Sequence, residues 1–307
     1  MALGIDVGGT KTRCIGLADN SELVFDEITP TLVGADGVVE TVLRLIEHCL
    51  KDNGRTISEV TSVGLGIPGA VDYELGIVRN AVNLRISELP LRQILEDALQ
   101  VPVAIDNDVK AAARGASAYF GDRGLDLALI NFGTGVAAAA VVKGQLIRGE
   151  GNVAGEIGHL PLDADGAVCT CGQRGCIEAM AGGGRISERL AQLDPPLSLV
   201  NLVAEAEAGN QAAIDEVNRI CLGIAGAIQV LVLAYGSAVV ALSGGVLDTA
   251  PALVDRVFEL LRSRAKASPF IASLRLTDRI IKLPTDSPIA AMGGALLGEK
   301  AADLSLS

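Results

Sequence analysis

The sequence predicts an α/β fold made of two similar halves. Short apolar runs typical of strands alternate along the chain with longer segments whose apolar residues recur at helical spacing, and this alternation is typical of α/β proteins. Residues 5–10 and 130–135 share one pattern, in which a strand ends and a Gly/Thr turn leads into another strand. This repetition predicts a duplicated domain. The chain of 307 residues is 50% apolar, which is enough for a sizeable core in one large or two medium domains.

The first half predicts a strand meander followed by alternating helices and strands. Its predicted elements, in order, are strands over 3–7, 12–17 and 22–29, a helix over 38–50, a strand over 60–67, a helix over 91–99 and a strand over 101–105. Asp106, Asn107 and Asp108 then form a cluster typical of a helix N-terminus, and the helix continues through residues 111–116. A carboxylate at such a position is a candidate for catalysis, although a simple helix cap explains the same spacing.

The second half begins again with two strands joined by a glycine turn. Its predicted elements are strands over 127–131 and 136–142 with a hairpin at Lys143-Gly144, helices over 210–234, 251–264 and 288–301, and strands over 238–242 and 279–282. The most apolar stretch, residues 220–241, is interrupted by glycines and polar residues and falls short of about 20 uninterrupted apolar residues. We therefore interpret it as a buried helix followed by a strand.

Charge and composition argue against several function classes. The chain has 25 Lys and Arg against 37 Asp and Glu, a formal net charge of -12, which disfavours binding to nucleic acid. Only 3% of the residues are aromatic and none is Trp, so a bound sugar must be held by hydrogen bonds rather than by stacking. The N-terminal segment has no basic stretch followed by a long apolar run, and we expect a cytoplasmic protein without a membrane partner.

The two glycine turns are candidate phosphate sites. Glycine lets the backbone approach a ligand closely and exposes successive amides, so two turns facing each other across a cleft can offer N–H groups to one polyphosphate. One glycine turn alone is as often structural, and it is the pairing that favours phosphate.

Residues 64–69 match GxGxxG, but no helix starts within these glycines, and the sequence has no GxxxxGK[ST] segment. A dinucleotide fold and a P-loop are therefore not supported.

A cluster of cysteines predicts a structural zinc site. Three of the six cysteines are crowded together, and a histidine precedes them at the end of a Glu-Ile-Gly-His segment. The predicted zinc ligands are His159, Cys169, Cys171 and Cys176, because a closed set of one imidazole and three thiolates is typical of structural zinc. Glu156 and Glu178 flank this loop and would be held beside the cleft. The other three cysteines, Cys14, Cys49 and Cys221, lie in apolar runs and are predicted to be core thiols.

These motifs together resemble the ROK family of sugar kinases and repressors in the actin-like ATPase superfamily. The resemblance covers essentially the whole chain, and the motifs that carry it are Asp6-Val7-Gly8-Gly9-Thr10-Lys11, Gly66-Ile67-Pro68-Gly69, Asn107-Asp108, Gly133-Thr134-Gly135, Glu156-Ile157-Gly158-His159, the Cys169 to Glu178 stretch and Ser243-Gly244-Gly245-Val246. The repressors of this family carry an N-terminal helix-turn-helix. Here the first predicted strand begins at Leu3, so the resemblance implies the kinase branch.

The resemblance also implies an architecture. It implies two actin-like (ribonuclease H-like) lobes around a cleft that closes on ATP and a sugar. The small lobe would span 1–117 and be completed by a C-terminal helix over 288–307. The large lobe would span 118–287 and carry the zinc loop and the dimerisation surface of a homodimer or homotetramer.

The resemblance implies a role for each matching residue. Asp108 matches the catalytic base that takes the proton of the sugar 6-hydroxyl. The residues matching sugar contacts are Asn83, Asn107, Asp108, Glu156, His159 and Glu178. The residues matching the ATP and Mg²⁺ site are Asp6, Gly8, Gly9, Thr10, Gly133, Thr134, Gly135, Gly244 and Gly245. Amides and carboxylates suit the sugar because they can bridge adjacent hydroxyl groups.

Several departures from the family concern the identity of the sugar. The chain lacks the Trp that often follows the Asn-Leu pair, Lys110 stands where Asn is usual, and Ala137 to Ala140 replace a glycine-rich stretch. Lys110 is two positions after Asp108, about 200° around the helix, so it need not disturb the base. The expected activity is phosphorylation of the 6-hydroxyl of a hexose, with glucose favoured. N-acetylmannosamine or another amino sugar, a cyclitol, a non-catalytic sugar sensor, and polyphosphate in place of ATP remain as alternatives.

Overall fold

The computed structural model describes residues 1–18, 22–121 and 125–305, with side chains as far as residue 299. The chain forms two units. The first contains Met1–Gly124, Gly149–Asn152 and Asp286–Ser307, and the second contains Leu125–Arg148 and Val153–Thr285. The lobe boundaries implied by the resemblance, 1–117 and 118–287, stay a prediction. The last two residues of the predicted helix over 288–307 lie outside the described residues.

The first unit is a mixed α/β unit built on a five-stranded sheet. Its strands and helices are β1 (Ala2–Val7), β2 (Lys11–Leu17), β3 (Leu23–Pro30), α1 (Ala35–Asp52), β4 (Ser62–Ile67), β5 (Ala70–Asp72), β6 (Ile77–Ala81), β7 (Ile86–Leu89), α2 (Leu91–Leu99), β8 (Val103–Asn107), α3 (Asp108–Tyr119) and, at its C-terminal end, α11 (Ile289–Ser305). The main sheet has the order β3-β2-β1-β4-β8. β1, β4 and β8 are parallel, whereas β1-β2 and β2-β3 are antiparallel, which confirms the predicted meander.

A second, smaller sheet in this unit is a feature that the sequence pattern does not predict. β5, β6 and β7 pair in antiparallel fashion after the end of β4. These strands have 3, 5 and 4 residues, which is too short for the alternation of apolar and polar residues to stand out.

The C-terminal helix α11 packs on the main sheet of the first unit at backbone distance. A Cβ placed at Gly64 would lie 1.8 Å from the carbonyl oxygen of Gly294, so a side chain has no room there. Ala291 and Ala295 lie buried against Ala2 and Ile15 of the sheet. The small residues of this helix therefore let it replace solvent over β1 and β4 and close the core of the unit.

The second unit repeats the same arrangement. Its strands and helices are β9 (Leu127–Phe132), β10 (Val136–Val142), β11 (Gln145–Leu146), α4 (Ile177–Ala181), α5 (Gly183–Ala191), α6 (Leu202–Glu207), α7 (Gln211–Tyr235), β12 (Val239–Ser243), α8 (Gly245–Thr249), α9 (Ala252–Ala267), α10 (Pro269–Ser273) and β13 (Ile280–Lys282). The sheet order is β11-β10-β9-β12-β13, with β9, β12 and β13 parallel and β9-β10-β11 antiparallel. The Lys143-Gly144 hairpin is confirmed as the turn between β10 and β11, with both residues at positive φ.

The two sheets have equivalent strand orders, which confirms the predicted duplication. β1 and β9 are both central, each is followed by an antiparallel partner, and each has a parallel neighbour on its other side. The two Gly/Thr turns that repeat in the sequence therefore occupy equivalent positions, after the central strand of each unit. The fold class is α/β as predicted, and the strand order is the one expected of actin-like lobes.

Helix α7 is long and apolar enough to cross a membrane by length and composition alone. However, 56% of its most apolar window is buried, and Ile220, Ile224 and Ile228 are fully buried in the core of the second unit. The helix and the following strand β12 confirm the interpretation of residues 220–241 as a buried helix and a strand. The short helices α4, α5, α6, α8 and α10 are not predicted by the sequence, because segments of 5 to 9 residues show little periodicity.

Candidate active site

Two aspartates lie at the carboxyl ends of parallel strands in the first unit. Asp6 is near the end of β1, and Asp108 is the first residue of α3, directly after β8. A Cβ at Gly66, which pairs with Asp6 in the sheet, would lie 3.3 Å from the Asp108 Cα. Functional groups of open α/β sheets collect at this edge.

Burial and the charge of Asp108 change the protonation of Asp6. Burial, followed by repulsion from Asp108, raises the pKa of Asp6 from 3.8 to about 7, although Arg13 and Lys11 oppose this change. Burial also raises the pKa of Asp108, while the backbone N–H of Val109 opposes the rise. The pair therefore favours either a proton or a cation at this position.

The first turn of α3 is fixed by a side-chain cap. Asn107 is the N-cap residue, and its Oδ1 accepts hydrogen bonds from the backbone N–H groups of Val109 and Lys110 at 3.0 and 3.3 Å. Its Nδ2 donates to the carbonyl oxygen of Gly69 at 3.2 Å. The Asp108 Oδ1 accepts from the Val109 N–H at 2.9 Å. The predicted cap cluster is confirmed, and the same first turn supplies hydrogen bonds that hold the Asp108 carboxylate.

The first glycine turn is closed by its own backbone. The N–H of Gly8 donates to the carbonyl of Lys11 at 2.9 Å, and the carbonyl of Thr10 accepts from Thr31 at 3.0 Å. A Cβ at Gly9 would lie 3.5 Å from the Cβ of Asn83. The structure thus brings Asn83 next to the turn, as the predicted site requires, and Thr10 at its tip is exposed.

Lys110 departs from the sequence-based expectation in one respect. Its side chain is 3% exposed, and its Nζ donates to the carbonyl oxygen of Asn152 at 3.0 Å, so it is directed toward that residue. Its positive charge nevertheless opposes the rise in the pKa of Asp108 that burial causes. The expectation that Lys110 leaves the base undisturbed therefore holds for geometry and not for charge.

The second glycine turn is backed by a glycine-rich helix start that the sequence analysis did not identify. The N–H of Gly183 donates to the carbonyl of Gly133 at 2.8 Å, and that of Gly184 donates to the carbonyl of Thr134 at 2.9 Å. Both donors belong to the first turn of α5. The run of three glycines at 182–184 was the available signal, since successive glycines mark a close approach of two backbones.

The third glycine segment of the second unit packs on the same region. Gly244 has a φ of 108°, and a Cβ there would lie 2.4 Å from the backbone of Phe132, the last residue of β9. Only glycine fits this position without strain. The Ser243 hydroxyl donates to the carbonyl of Ile130 at 3.1 Å. Three segments, 133–135, 182–184 and 243–245, therefore meet at the carboxyl ends of β9 and β12.

The predicted zinc ligands lie together in the second unit. The ligand atoms of His159, Cys169 and Cys171 all lie within 4.8 Å of one another. The Nδ1 of His159 is 3.8 Å from the Cys169 Sγ, and the Sγ atoms of Cys171 and Cys176 are 3.7 Å apart. Tetrahedral zinc with its usual bond lengths requires ligand-to-ligand distances of about 3.5–3.8 Å. His159, Cys169 and Cys171 therefore form a group that can hold a metal ion, and Cys176 lies beside Cys171 without belonging to that group.

Without a bound cation, the thiols of this cluster differ in their pKa values. Hydrogen bonding from the backbone of Gln173 lowers the pKa of Cys171 to about 6, whereas burial raises the pKa of Cys176 to about 12. Three thiolates so close together repel one another, and a divalent cation would stabilise all of them. The other cysteines, Cys14, Cys49 and Cys221, are buried as predicted.

The two glutamates that flank the zinc cluster are placed differently. The Glu178 Oε2 accepts a hydrogen bond from the backbone N–H of Val136 at 3.0 Å, and its Oε1 accepts from the Thr170 hydroxyl at 3.4 Å. Glu156 is exposed, just before the short helix Ile157–His159. Glu178 is therefore held next to the second glycine turn, while the Glu156 carboxylate faces solvent.

An ion pair supports the helix that carries Glu178. Arg189 donates to Glu216 at 2.7 Å and also to the carbonyl oxygens of Ala179 and Met180, at the end of α4. Glu216 is only 7% exposed. Because the last carbonyls of a helix lack intrahelical partners, this arginine both caps α4 and fixes it to α5 and α7.

Comparison with known proteins gives consistent matches. A model of the ROK family matches residues 2–297. A glucokinase of Halalkalibacterium halodurans is 30% identical over 274 residues, which cover 83% of this chain and 83% of that protein. An N-acetylmannosamine kinase of Vibrio cholerae is 30% identical over 267 residues, which cover 85% of this chain and 89% of that protein. The crystal structure of a ROK hexokinase from Thermus thermophilus has a TM-score of 0.83 at 26% identity, over 100% of this chain and 99% of that one.

Proposed function

The chain belongs to the ROK family, and from this premise we propose that it is a kinase that transfers the γ-phosphoryl group of ATP to the 6-hydroxyl of a hexose, with glucose preferred. The single observation that carries the proposal is the position of Asp108. Its carboxylate begins α3 beside Asp6, at the strand ends where the first glycine turn also lies. Phosphoryl transfer needs a positioned acceptor for the hydroxyl proton and little other covalent chemistry from the protein.

In the proposed step, Asp108 accepts the proton of the 6-hydroxyl as the oxygen attacks phosphorus. The new O–P bond forms, the bond between the γ-phosphorus and the bridging oxygen breaks, and ADP leaves. Burial raises the pKa of Asp108, which makes its carboxylate a better proton acceptor, while the N-terminus of α3 favours the ionised form. The backbone N–H of Val109 donates to the Asp108 Oδ1 and orients the carboxylate for the hydroxyl.

Asp6 and the glycine turns would receive the nucleotide. Asp6 fits a magnesium site because its buried carboxyl group, with a pKa raised to about 7, favours a cation. When bound, Mg²⁺ neutralises phosphate charge. We propose that backbone amides of Gly9 and Thr10, and of Gly133, Thr134 and Gly135, bind phosphate oxygens, and that Gly244 and Gly245 lie on the adenosine side. Gly8 would line the same phosphate site and shape its turn, since its own N–H donates to the Lys11 carbonyl.

The zinc cluster would have a structural role. His159, Cys169, Cys171 and Cys176 would hold the ion, which when bound crosslinks the loop that precedes α4. This arrangement would fix the His159 ring and the start of α4, and with it Glu178. We assign sugar-hydroxyl contacts to Asn83, Asn107, Asp108, Glu156, His159 and Glu178.

The decisive experiment is a sugar panel. Purified protein is incubated with ATP and Mg²⁺ and with glucose, mannose, N-acetylmannosamine, N-acetylglucosamine or a cyclitol, and ADP release is followed. We expect the highest kcat/KM with glucose and a 6-phosphorylated product. Preferred turnover of N-acetylmannosamine would change the substrate and keep the mechanism, and that alternative has the support of the 30% identical relative described above. Replacing ATP by polyphosphate in the same assay identifies the donor.

A non-catalytic sugar sensor is the alternative from another class. The retained Asp108 and the two glycine turns argue against it, because a sensor needs neither a base nor a phosphate site. Binding of glucose without ADP release in the panel would favour the sensor. We further propose that the protein acts in the cytoplasm, where ATP is available, as a homodimer or homotetramer. Light scattering on the purified protein tests the oligomeric state.

A further inference from the structure

Lys110 is a buried lysine with a specific backbone partner. It lies in the first turn of α3, two residues after Asp108, and its side chain is 3% exposed. Its Nζ donates to the carbonyl oxygen of Asn152 at 3.0 Å. A lysine is rarely so buried unless its amine is hydrogen-bonded, so this contact offsets the cost of burying the charge of Lys110 in the first unit.

Asn152 belongs to a short segment that joins the first unit from a distant part of the sequence. Residues 149–152 are part of the first unit, whereas the residues on both sides belong to the second. Asn152 has a φ of 63°, and Gly149 and Gly151 also have positive φ. A segment in this conformation needs contacts to hold it, because a left-handed backbone is unfavourable for a residue with a side chain.

The same asparagine is anchored a second time, by its side chain. Its Nδ2 donates to the carbonyl oxygen of Val71, in β5, at 2.9 Å. Its Oδ1 is buried and has no hydrogen-bond partner among the described residues. A buried acceptor without a partner is costly, so the contacts to Lys110 and Val71 must outweigh that cost.

These contacts complete a ring around the first turn of α3. Asn107 donates to the carbonyl of Gly69, directly before β5, and Lys110 is linked to β5 through Asn152 and Val71. Asp108 lies between Asn107 and Lys110 in the sequence. The turn that carries the carboxylate is therefore tied to β5 on both sides, by one short contact and by one that runs through segment 149–152.

We propose that Lys110 is a positioning residue for phosphoryl transfer, which holds segment 149–152 on β5 and thereby fixes the first turn of α3 that carries Asp108. The inference rests on the proposed function, because it assigns Asp108 as the base. In the proposed role, Lys110 touches neither substrate nor reacting atoms. Its effect is on the orientation of the turn, to which the rate of a positioned proton transfer is sensitive.

The test compares Lys110→Met, which keeps the length of the side chain and removes the donor, with Lys110→Arg, which keeps a donor and a charge. We expect Lys110→Met to lower kcat about 10- to 100-fold, with KM for ATP changed less than threefold. Lys110→Arg should recover most of the loss. Assays are run well below the melting temperature of every variant, so that lost stability alone does not lower kcat.

Asn152→Gly supplies a second, independent variant. Glycine keeps the backbone carbonyl and tolerates the positive φ, but removes the side-chain contact to Val71. If Lys110 and Asn152 act through the same contacts, their effects on kcat should not multiply, because neighbours in one network are not additive. The kcat of the double variant Lys110→Met/Asn152→Gly should then lie within about threefold of the kcat of the slower single variant. Losses that multiply would overturn the shared role.

Hydrogen exchange separates this inference from the proposed function. Amides of segment 149–153 should exchange at least tenfold faster in Lys110→Met than in the wild-type protein, whether or not the protein phosphorylates a sugar. Unchanged amide exchange in Lys110→Met would show that Lys110 does not hold the segment in place. Faster amide exchange with an unchanged kcat would overturn the positioning role. Wild-type protein that phosphorylates no compound of the sugar panel refutes the proposed function and with it the positioning role, while the exchange data still decide whether Lys110 holds the segment.

Discussion

Asp6, near the end of β1, and Asp108, directly after β8, lie close enough for the Asp108 charge to raise the pKa of Asp6. The pKa of about 7 lies above the unfolded value of 3.8, so the folded protein holds a proton that the unfolded chain has lost. In the absence of Mg²⁺ and nucleotide, this group's contribution to stability is therefore fully present below about pH 4 and is lost as pH rises to about 7.

Replacing Asp6 by Asn should remove this pH dependence. The protein without ligands should gain roughly 4 kcal/mol at pH 8 and little at pH 4, because each unit of pKa shift corresponds to about 1.4 kcal/mol. Chemical denaturation of wild type and Asp6→Asn between pH 4 and 8, with a chelator present, measures the difference. Asp286→Asn is a suitable control, because Lys11 lowers the pKa of Asp286 and the sign is opposite. Equal pH profiles for Asp6→Asn and wild type would contradict the shift.

Asp108→Asn should keep the fold and lose catalysis. The amide preserves the size of the side chain but accepts no proton, so we expect kcat to fall about 100-fold or more while sugar affinity changes little. Steady-state kinetics and calorimetric titration with sugar give the two quantities. Asp97→Asn, on the exposed surface of α2, serves as the matched control. Turnover above a tenth of the wild-type value would remove Asp108 from the role of base.

The purified protein should contain about one zinc ion per chain. Cys171→Ala should lose the ion, the stability of the loop and the affinity for sugar together, because the metal links the ligands to the start of α4. Elemental analysis, thermal unfolding and sugar titration measure the three effects. Cys221→Ala removes a buried thiol outside the cluster and should retain the zinc. A metal-free wild-type protein with full activity would refute the structural role.

Removing Arg189 should loosen α4 and weaken sugar binding through Glu178. Arg189→Met leaves the buried Glu216 with its longer contact to Arg219, at 3.5 Å, and the end of α4 without a cap, which should cost about 2 kcal/mol of stability. We expect KM for the sugar to rise several-fold while KM for ATP stays within about twofold. Arg44→Met removes an exposed arginine of α1, paired with Glu40, and should change neither constant. If both variants behave alike, the support of α4 by Arg189 has no functional role.

Glu156→Ala should affect the sugar and spare the nucleotide. Loss of a carboxylate that pairs with ring hydroxyls should raise KM for the sugar steeply and leave KM for ATP within a few-fold. In the wild-type protein, 2-deoxy and 3-deoxy sugars should lose far more kcat/KM than one missing apolar contact explains, because they leave polar groups of the site unpaired. If the variant instead binds ATP weakly and the sugar normally, the Glu-Ile-Gly-His segment belongs to the nucleotide site.

The parts of the fold and site that follow from the sequence are those encoded locally. The cap at Asn107, the two glycine turns and the repetition of the strand pattern all appear within short windows, and the structure confirms their positions. The predicted zinc ligands are close in sequence as well. Local spacing is sufficient for them because the residues that interact are also neighbours along the chain.

The remaining features depend on contacts between distant segments. Lys110 and Asn152 are separated by 42 positions, as are Glu178 and Val136, and no local pattern relates them. The glycines at 182–184 carry a signal, but its meaning depends on the turn that they approach, some 50 positions earlier. Such pairs form only when tertiary packing brings their segments together.

The position of α11 has a consequence for the order in which the protein can fold during synthesis. The backbone of this helix lies directly on β1 and β4, yet more than 200 positions of the sequence separate it from both strands. Synthesis runs from the N-terminus to the C-terminus, so both strands and the second unit up to Thr285 are made before this helix. The face of the main sheet that α11 covers therefore stays open until the helix has been synthesised, which makes the first unit the later of the two to complete its core.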